Sequence, residues 1–274
     1  FRSMAASRLD KPDTIALLSH LINLHLGWSK SSLFSKDDTT LPEELVLEWR
    51  ALENRRVSGE PIAYILGKKE FFNIELMVTP DVLIPRPETE LLVELGLAYL
   101  KHVERPKILD LGTGSGAIAL ALGRNLPQSQ IIAVDNNPKT LEIAMKNSAL
   151  LELSNRCEFI LGSWFEQLTN HLNSFDLIVS NPPYINLQDD HLNQGDLRFE
   201  PRLALTDNQD GLSAYQTIIP QASQYLKQGG MIALEHGYNQ SQQICNLLKQ
   251  FKFQEITAHQ DLANIPRAVS AKLG

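Results

Sequence analysis

Lys107-Ile108-Leu109-Asp110-Leu111-Gly112-Thr113-Gly114-Ser115-Gly116-Ala117 is the stretch whose reading decides the fold. Ile108 to Leu111 form a short apolar run. Glycines at 112, 114 and 116 then turn the chain into an apolar stretch over Ala117–Asn125 that reads as a helix. Strand, glycine loop and helix in that order open a βαβ unit, because glycines let backbone approach a ligand and expose helix N-terminal N–H groups. Downstream, strands are expected at 131–135, 157–161, 175–180 and 231–235, with helices at 139–151, 213–226 and 240–248 between them. Two late extended segments, 253–260 and 267–273, complete the count. Alternation of this kind predicts an α/β domain with a mainly parallel sheet and right-handed crossovers.

Upstream, Ile15, Leu18, Leu21, Ile22 and Leu26 recur at helical spacing. Pro42-Glu43-Glu44 opens a second helix that runs to about Val57, with acids complementing the helix dipole. Arg50, Arg55 and Arg56 read first as a solvated helix face and alternatively as a partner-binding one. Two extended segments around Gly67-Lys68-Lys69 suggest a hairpin. Pro85-Arg86-Pro87 is a rigid connector, with Arg86 and Glu88 either structural or reaching a ligand. Thr89-Glu90 lead into a helix over Leu91–Leu100. The expected division is a helical domain over 4–75, a linker to about 85, and a larger domain over 86–274. Phe1-Arg2-Ser3 before Met4 reads as a leftover of expression.

The glycine loop alone is a weak signal, and with Ala117 it even satisfies a loosened dinucleotide pattern. Two acids tilt the reading. Asp110 lies two residues before Gly112, where a carboxylate repels a pyrophosphate and attracts an ammonium or sulfonium. Asp135 ends the next strand 19 residues past Gly116, the separation expected of an acid that accepts both ribose hydroxyls. A nucleoside joined to a cationic tail is S-adenosylmethionine. Trp164, after the third strand, reads equally as core or as an adenine wall.

Phe175-Asp176-Leu177-Ile178-Val179-Ser180-Asn181-Pro182-Pro183-Tyr184 reads as a doubly buried strand that stops abruptly. Two prolines cannot continue a central strand, so they make a stiff elbow at its carboxyl end, where open α/β sheets place ligands. Methyl transfer to a planar nitrogen needs positioning above all. The Asn181 side-chain carbonyl and the Pro182 carbonyl are natural acceptors for an NH2, and Tyr184 offers a face to stack on the planar group. No strong base is needed, because the proton becomes acidic once the nitrogen is alkylated.

Composition fits this reading. Apolar residues make up 43% and charged residues 21% of 274, as in an ordinary globular protein. No run approaches the ~20 apolar residues of a membrane span, and no signal-peptide pattern is present. Cys157 and Cys245 stand far apart, which disfavours structural zinc or disulfides and fits a reducing cytoplasm. His171, His191, His236 and His259 lack metal-site spacing and read as surface or supporting groups. The net charge of −7 argues against a sequence-independent grip on nucleic acid.

Asn181-Pro182-Pro183-Tyr184 resembles the signature of amino-methyltransferases acting on adenine, guanine or glutamine. Gly59 to Gly67, Val82 to Glu90, Leu109 to Leu120, Phe199-Glu200-Pro201, Asp210-Gly211-Leu212 and Glu235-His236-Gly237 narrow the resemblance to the peptide chain release factor glutamine methyltransferase family. The likeness runs from about residue 55 to the end and is weaker in the helical N-terminus. It implies a class I, Rossmann-like methyltransferase with a seven-stranded, mainly parallel sheet, a small N-terminal helical domain and a linking β-hairpin. It further implies N5-methylation of the glutamine in the Gly-Gly-Gln loop of class I release factors 1 and 2, leaving S-adenosylhomocysteine. Cofactor positions would be Gly112, Thr113, Gly114, Ser115, Gly116, Asp135, Trp164 and Asn181, and the substrate glutamine would meet Asn181, Pro182, Pro183 and Tyr184. The helical domain would help hold the release factor, which gives the arginines a role. Asn264 departs from the family pattern, standing where Gly is expected. Alternatives are a glutamine methyltransferase of a ribosomal protein, a nucleic-acid amino-methyltransferase, a dinucleotide-dependent oxidoreductase and a cofactor-binding regulatory module.

Overall fold

A computed structural model of the chain describes residues 7–31 and 41–274, so Phe1 to Met4 and most of the polar stretch Ser29–Thr40 lie outside the described residues. The chain divides into two compact units, Phe1–Lys68 and Lys69–Gly274.

The first unit is helical. Helix α1 (Lys11–Leu26) starts where the Asp10 carboxylate accepts the Asp13 amide at 2.8 Å, and it ends at Gly27 in the left-handed region. Helix α2 (Glu43–Val57) carries acids in its first turn and Arg55 and Arg56 in its last, both favourable for the helix dipole. A short helix α3 (Ile62–Leu66) follows Pro61. Leu17, Leu21, Ile22, Leu45, Trp49 and Ile65 form the core of this unit. Arg55 and Arg56 are engaged within it, by Glu60 and by Asp13 respectively.

The hairpin lies one element later than its expected place. Residues 62–66 are helical, not extended, and Gly67 ends that helix at φ 70. Strands β1 (Lys68–Phe71) and β2 (Ile74–Met77) pair instead around Phe72 (φ 45) and Asn73 (φ 61). Two successive left-handed residues are what a two-residue hairpin turn with the right twist requires. Here only Asn73 belongs to the usual turn residues, which hides the signal.

In the second unit seven strands pair in the order β5-β4-β3-β6-β7-β9-β8: β3 (Lys107–Leu111), β4 (Gln130–Asp135), β5 (Cys157–Leu161), β6 (Phe175–Ser180), β7 (Leu226–Glu235), β8 (Phe253–Gln260) and β9 (Pro266–Leu273). The first five are mutually parallel, and β9 runs antiparallel to both β7 and β8. Helices α4 (Glu90–Leu100) and α5 (Ala117–Asn125) cover one face, where Leu177 and Val179 point. Helices α7 (Ser213–Tyr225) and α8 (Ser241–Gln250) cover the other, where Ile178 points. Burial on both faces is why β6 is apolar almost without interruption. Helix α6 (Pro138–Leu150) connects β4 to β5.

Strand β7 begins at Leu226 rather than Met231, and the register slips between Phe175 and Leu177, where residues 227–230 stand opposite Asp176 alone. In the β8–β9 loop Asn264 adopts φ 60, and its amide donates to the Asp261 carbonyl at 2.9 Å. Asn tolerates the left-handed region better than other non-glycine residues, so the departure at Asn264 keeps a tight turn.

The sheet reverses direction of winding between β3 and β6. Both strands end side by side, tied by the Ser180 hydroxyl donating to the Leu111 carbonyl at 2.7 Å. Ligand crevices of doubly wound sheets form at such a reversal.

Candidate active site

The glycine loop after β3 is held from β4 and α6, the elements that follow it next in the chain. The Gly112 and Thr113 amides both donate to the Val134 carbonyl, at 2.9 and 3.0 Å. The Gly114 amide donates to Asp135 Oδ2 at 3.0 Å, and Asp135 Oδ1 accepts the Asn137 amide at 3.0 Å. Gly112, Gly114 and Gly116 take φ values of 72, 59 and 84, a region in which other residues are strained. From α6, the buried Asn147 side chain donates to the Ser115 carbonyl at 2.9 Å and brackets both backbone groups of Met77.

Asp110 is fully buried behind this loop rather than facing outward. Its Oδ2 accepts the Thr113 hydroxyl at 2.7 Å and the Ala119 amide at 3.3 Å, while Oδ1 is buried with no partner. Burial pushes its pKa up to about 7. Asp135 is also raised by burial, against the amides of Gly114, Asn137 and Asn136 that favour its charge.

In front of the loop lies a cleft of about 1060 Å³, part of it open to solvent. Gly112, Thr113, Gly114, Ser115, Asp135, Trp164, Asn181 and Pro183 contribute to its walls. Asp110, Gly116, Pro182 and Tyr184 do not. Trp164 serves two surroundings at once, packing against the sheet core while lining the cleft beside Gly112. Ile118 and Leu203 add apolar surface.

The elbow after β6 is held from far away in sequence. Asn181 Nδ2 donates to the Thr89 hydroxyl at 3.1 Å, which leaves Oδ1 as the acceptor end on a residue that lines the cleft. The Tyr184 phenol donates to Glu235 Oε1 at 3.2 Å, and its carbonyl accepts Gln240 Nε2 at 3.0 Å. Gln240 also donates to the Gly211 carbonyl at 3.3 Å and accepts the Gly237 amide at 2.9 Å. Gly211 sits at φ 82, and a Cβ there would fall 2.1 Å from the Tyr184 carbonyl oxygen. Asp210-Gly211-Leu212 and Glu235-His236-Gly237 therefore converge on one tyrosine. Tyr215 donates to the Glu235 carbonyl at 2.7 Å. Burial raises the Tyr184 phenol and pushes Glu235 up to about 7.

Arg86 pairs with Glu200, whose other oxygen accepts the Ile84 amide at 3.2 Å, so Phe199-Glu200-Pro201 anchors the proline connector. Thr89 and Glu235 stood within sequence stretches already singled out but carried no chemical signal there. Gln240 and Asn147 carried none at all. His236 is buried, bonded to the Gly237 carbonyl and Ser241, and His259 bonds Ser270. Among the described residues no group of three or more His, Cys, Asp or Glu is placed to hold a metal, and no helix is long and apolar enough to cross a membrane.

Comparison with known proteins agrees along the chain. Residues 102–270 match the methyltransferase domain family and residues 4–67 the PrmC N-terminal domain family. Release factor glutamine methyltransferases of Burkholderia pseudomallei (42% identity, 98% of this chain and 94% of that one), Bordetella pertussis (46%, 88% and 88%) and Coxiella burnetii (45%, 93% and 90%) align nearly end to end. In fold, the chain is similar to the hMettl16 catalytic domain (TM-score 0.60, 16% identity, 85% of this chain and 82% of that one). A methyltransferase from Pyrococcus furiosus is similar too (TM-score 0.56, 16% identity, 81% and 98%). The sheet is that of the class I methyltransferases, and the chain belongs to the release factor glutamine methyltransferase family.

Proposed function

We propose that the chain methylates the side-chain amide N5 of the glutamine in the Gly-Gly-Gln loop of class I release factors 1 and 2, using S-adenosylmethionine. One observation carries the reading. Asn181 stands in the wall of a glycine-loop cleft with its NH2 turned to Thr89 and its carbonyl oxygen left as an acceptor. Such an acceptor suits an NH2, and the near-complete alignment with glutamine methyltransferases supports glutamine as its bearer.

The donor set suits the cofactor. Gly112 and Gly114 leave the cleft side of the loop free of side chains, and Asp135 offers a carboxylate to ribose hydroxyls. Trp164 and Ile118 offer apolar surface for adenine, and buried Asp110 sets a negative field behind Thr113 when ionised. S-adenosylmethionine supplies an electrophilic methyl on sulfonium and becomes S-adenosylhomocysteine. The chain's part is placement. Asn181 Oδ1 and the Pro182 carbonyl accept the two N–H bonds of the amide, and Tyr184 supports its plane. This orients the nitrogen lone pair toward the methyl, and the N–H proton, acidic only once the nitrogen carries the methyl, then passes to solvent. Pro182 and Pro183 donate no N–H of their own, so the acceptors of the elbow stay undiluted.

The helical unit is assigned a role in holding the release factor, with Arg50, exposed on α2, as its candidate contact. The protein is expected to act in the cytoplasm without direct contact to nucleic acid, in keeping with its net charge of −7. Offering labelled S-adenosylmethionine with intact release factor, ribosomal protein and DNA in parallel tests the assignment. Label is expected on the release factor, and label only on DNA or only on ribosomal protein would overturn it.

A further inference from the structure

We propose that Gln240 is a positioning residue for the methyl transfer: its side-chain amide fixes where the Pro182-Pro183-Tyr184 elbow stands, and the acceptor amide with it. This rests on the elbow being the acceptor site, as proposed above. The need for such a residue follows from the prolines. Pro182 and Pro183 have no N–H, so this backbone cannot be tied down through its own donors. It is held through side chains and carbonyls, and a carbonyl needs a donor brought from elsewhere in the chain. The Tyr184 carbonyl finds one 56 residues away, in Gln240 Nε2 at 3.0 Å.

Three backbone groups meet the Gln240 amide. Nε2 donates to the Tyr184 carbonyl and, at 3.3 Å, to the Gly211 carbonyl, while Oε1 accepts the Gly237 amide at 2.9 Å. Two donors and an acceptor on one neutral planar group are what a carboxamide offers and other side chains do not. The partners also settle which way it faces. Turned over, its NH2 would meet the Gly237 N–H and its oxygen would meet two carbonyls. Gln240 is 7% exposed, so water is poorly placed to substitute for it. A single amide thus joins the elbow after β6 to the turn before α7 and the turn after β7. A Cβ at position 211 would fall 3.0 Å from Nε2 as well as against the Tyr184 carbonyl, so the bare glycine is what lets these groups meet. The place of Gln240 in the chain points the same way. It is the N-cap of α8, where a side chain ordinarily accepts an amide of its own helix, and it makes no such bond. Its side chain serves the elbow instead.

The experiment compares Gln240→Met and Gln240→Glu in the full chain with intact release factor, at a temperature where circular dichroism shows each variant folded. It reads kcat, the release-factor KM, and the S-adenosylmethionine Kd by calorimetry. Gln240→Met keeps the bulk and removes all three hydrogen bonds. Gln240→Glu keeps the shape and, ionised, turns only acceptors toward the two carbonyls. Each should lose about 10- to 50-fold in kcat, short of the ~100-fold cost of a 1 Å misplacement because Glu235 still holds the Tyr184 phenol. Cofactor Kd and release-factor KM should stay within about threefold of the parent, since Gln240 is not part of the cleft wall. Combined with Gly211→Ala, Gln240→Met should cost less than the product of the two single losses, because both act on the Tyr184 carbonyl. Parent kcat in Gln240→Met, multiplicative losses in the double variant, or cofactor affinity falling in step with kcat would overturn the assignment. If Gln240→Met fails to fold, Gln240→Glu decides alone, because it keeps the bond to Gly237 and sets its charge at a helix N-terminus, where it is favoured. A parent chain that does not methylate release factor would sink the functional reading instead.

Discussion

Two turns that contribute to one cleft stand side by side at the carboxyl ends of β3 and β6, and they are built in opposite ways. The glycine loop draws its bonds from itself and from the elements that follow it directly: Asp110 to Thr113 and Ala119, Gly112 and Thr113 to Val134, Gly114 to Asp135, and Asn147 on α6 to Ser115. The Asn-Pro-Pro-Tyr elbow is held by Thr89, Gly211, Glu235 and Gln240, separated from it by tens of residues. A cofactor common to many methyltransferases can be gripped by backbone and one acid. An acceptor that must be turned to a particular angle needs a network of side chains. The contrast teaches that the two halves should fail separately.

The largest break away from Asn181 itself is expected at Gly211→Ala. Its Cβ would meet the Tyr184 carbonyl oxygen at 2.1 Å and would sit at φ 82, so the elbow must move. A displacement near 1 Å costs about 100-fold in turnover. Steady-state kinetics with calorimetry should find kcat reduced by that order and cofactor affinity nearly unchanged. Loss of both together would mean that the two turns are not separable.

The complementary break is Asp135→Asn. Removing a charged acceptor from a ribose costs ~1.5–3 kcal/mol, or roughly 10- to 100-fold in the cofactor Kd. Its kcat at saturating cofactor should stay within about threefold, because the elbow is untouched. A titration showing unchanged affinity would remove Asp135 from the cofactor site.

How much of this was legible depends on range. Strand, loop and helix from Lys107 to Asp135 were readable because glycine spacing, apolar periodicity and the terminal acid all lie within one βαβ unit. The elbow was readable at Pro182 and Pro183, since paired prolines leave a strand no way to continue. Its supports were not, because nothing local marks Gln240 as the bracket of Tyr184. Residues 64–67 read as extended in the sequence although Ile62–Leu66 is helical, since five residues are too few to show a helical period. The burial of Asp110 was hidden for a different reason. Spacing places a carboxylate near the loop, but only packing decides that it supports the loop from behind.

The smallest effect sharpens that last point. Asp110 is neutral more readily in the folded chain, with its pKa raised to about 7 from 3.8. A raised folded pKa means that its contribution to stability is fully present below the unfolded value and is lost as pH rises toward 7. Asp110→Asn does not titrate. Its melting temperature relative to the parent should therefore climb by several degrees between about pH 4 and 7 and level off above. A difference that stays flat with pH would show that Asp110 ionises normally.

The central claim is that the Asn181 carbonyl holds the acceptor amide. Mass spectrometry of intact release factor after reaction with the parent chain and with Asn181→Ala tests it most directly, alongside the cofactor Kd of each. The account predicts one methyl on the Gly-Gly-Gln glutamine with the parent chain. With Asn181→Ala it predicts a loss of ~10²–10³-fold in rate, as for removal of a single preorganised hydrogen-bonding group, and cofactor binding that is weakened but retained. Methylation by Asn181→Ala at the parent rate would contradict it.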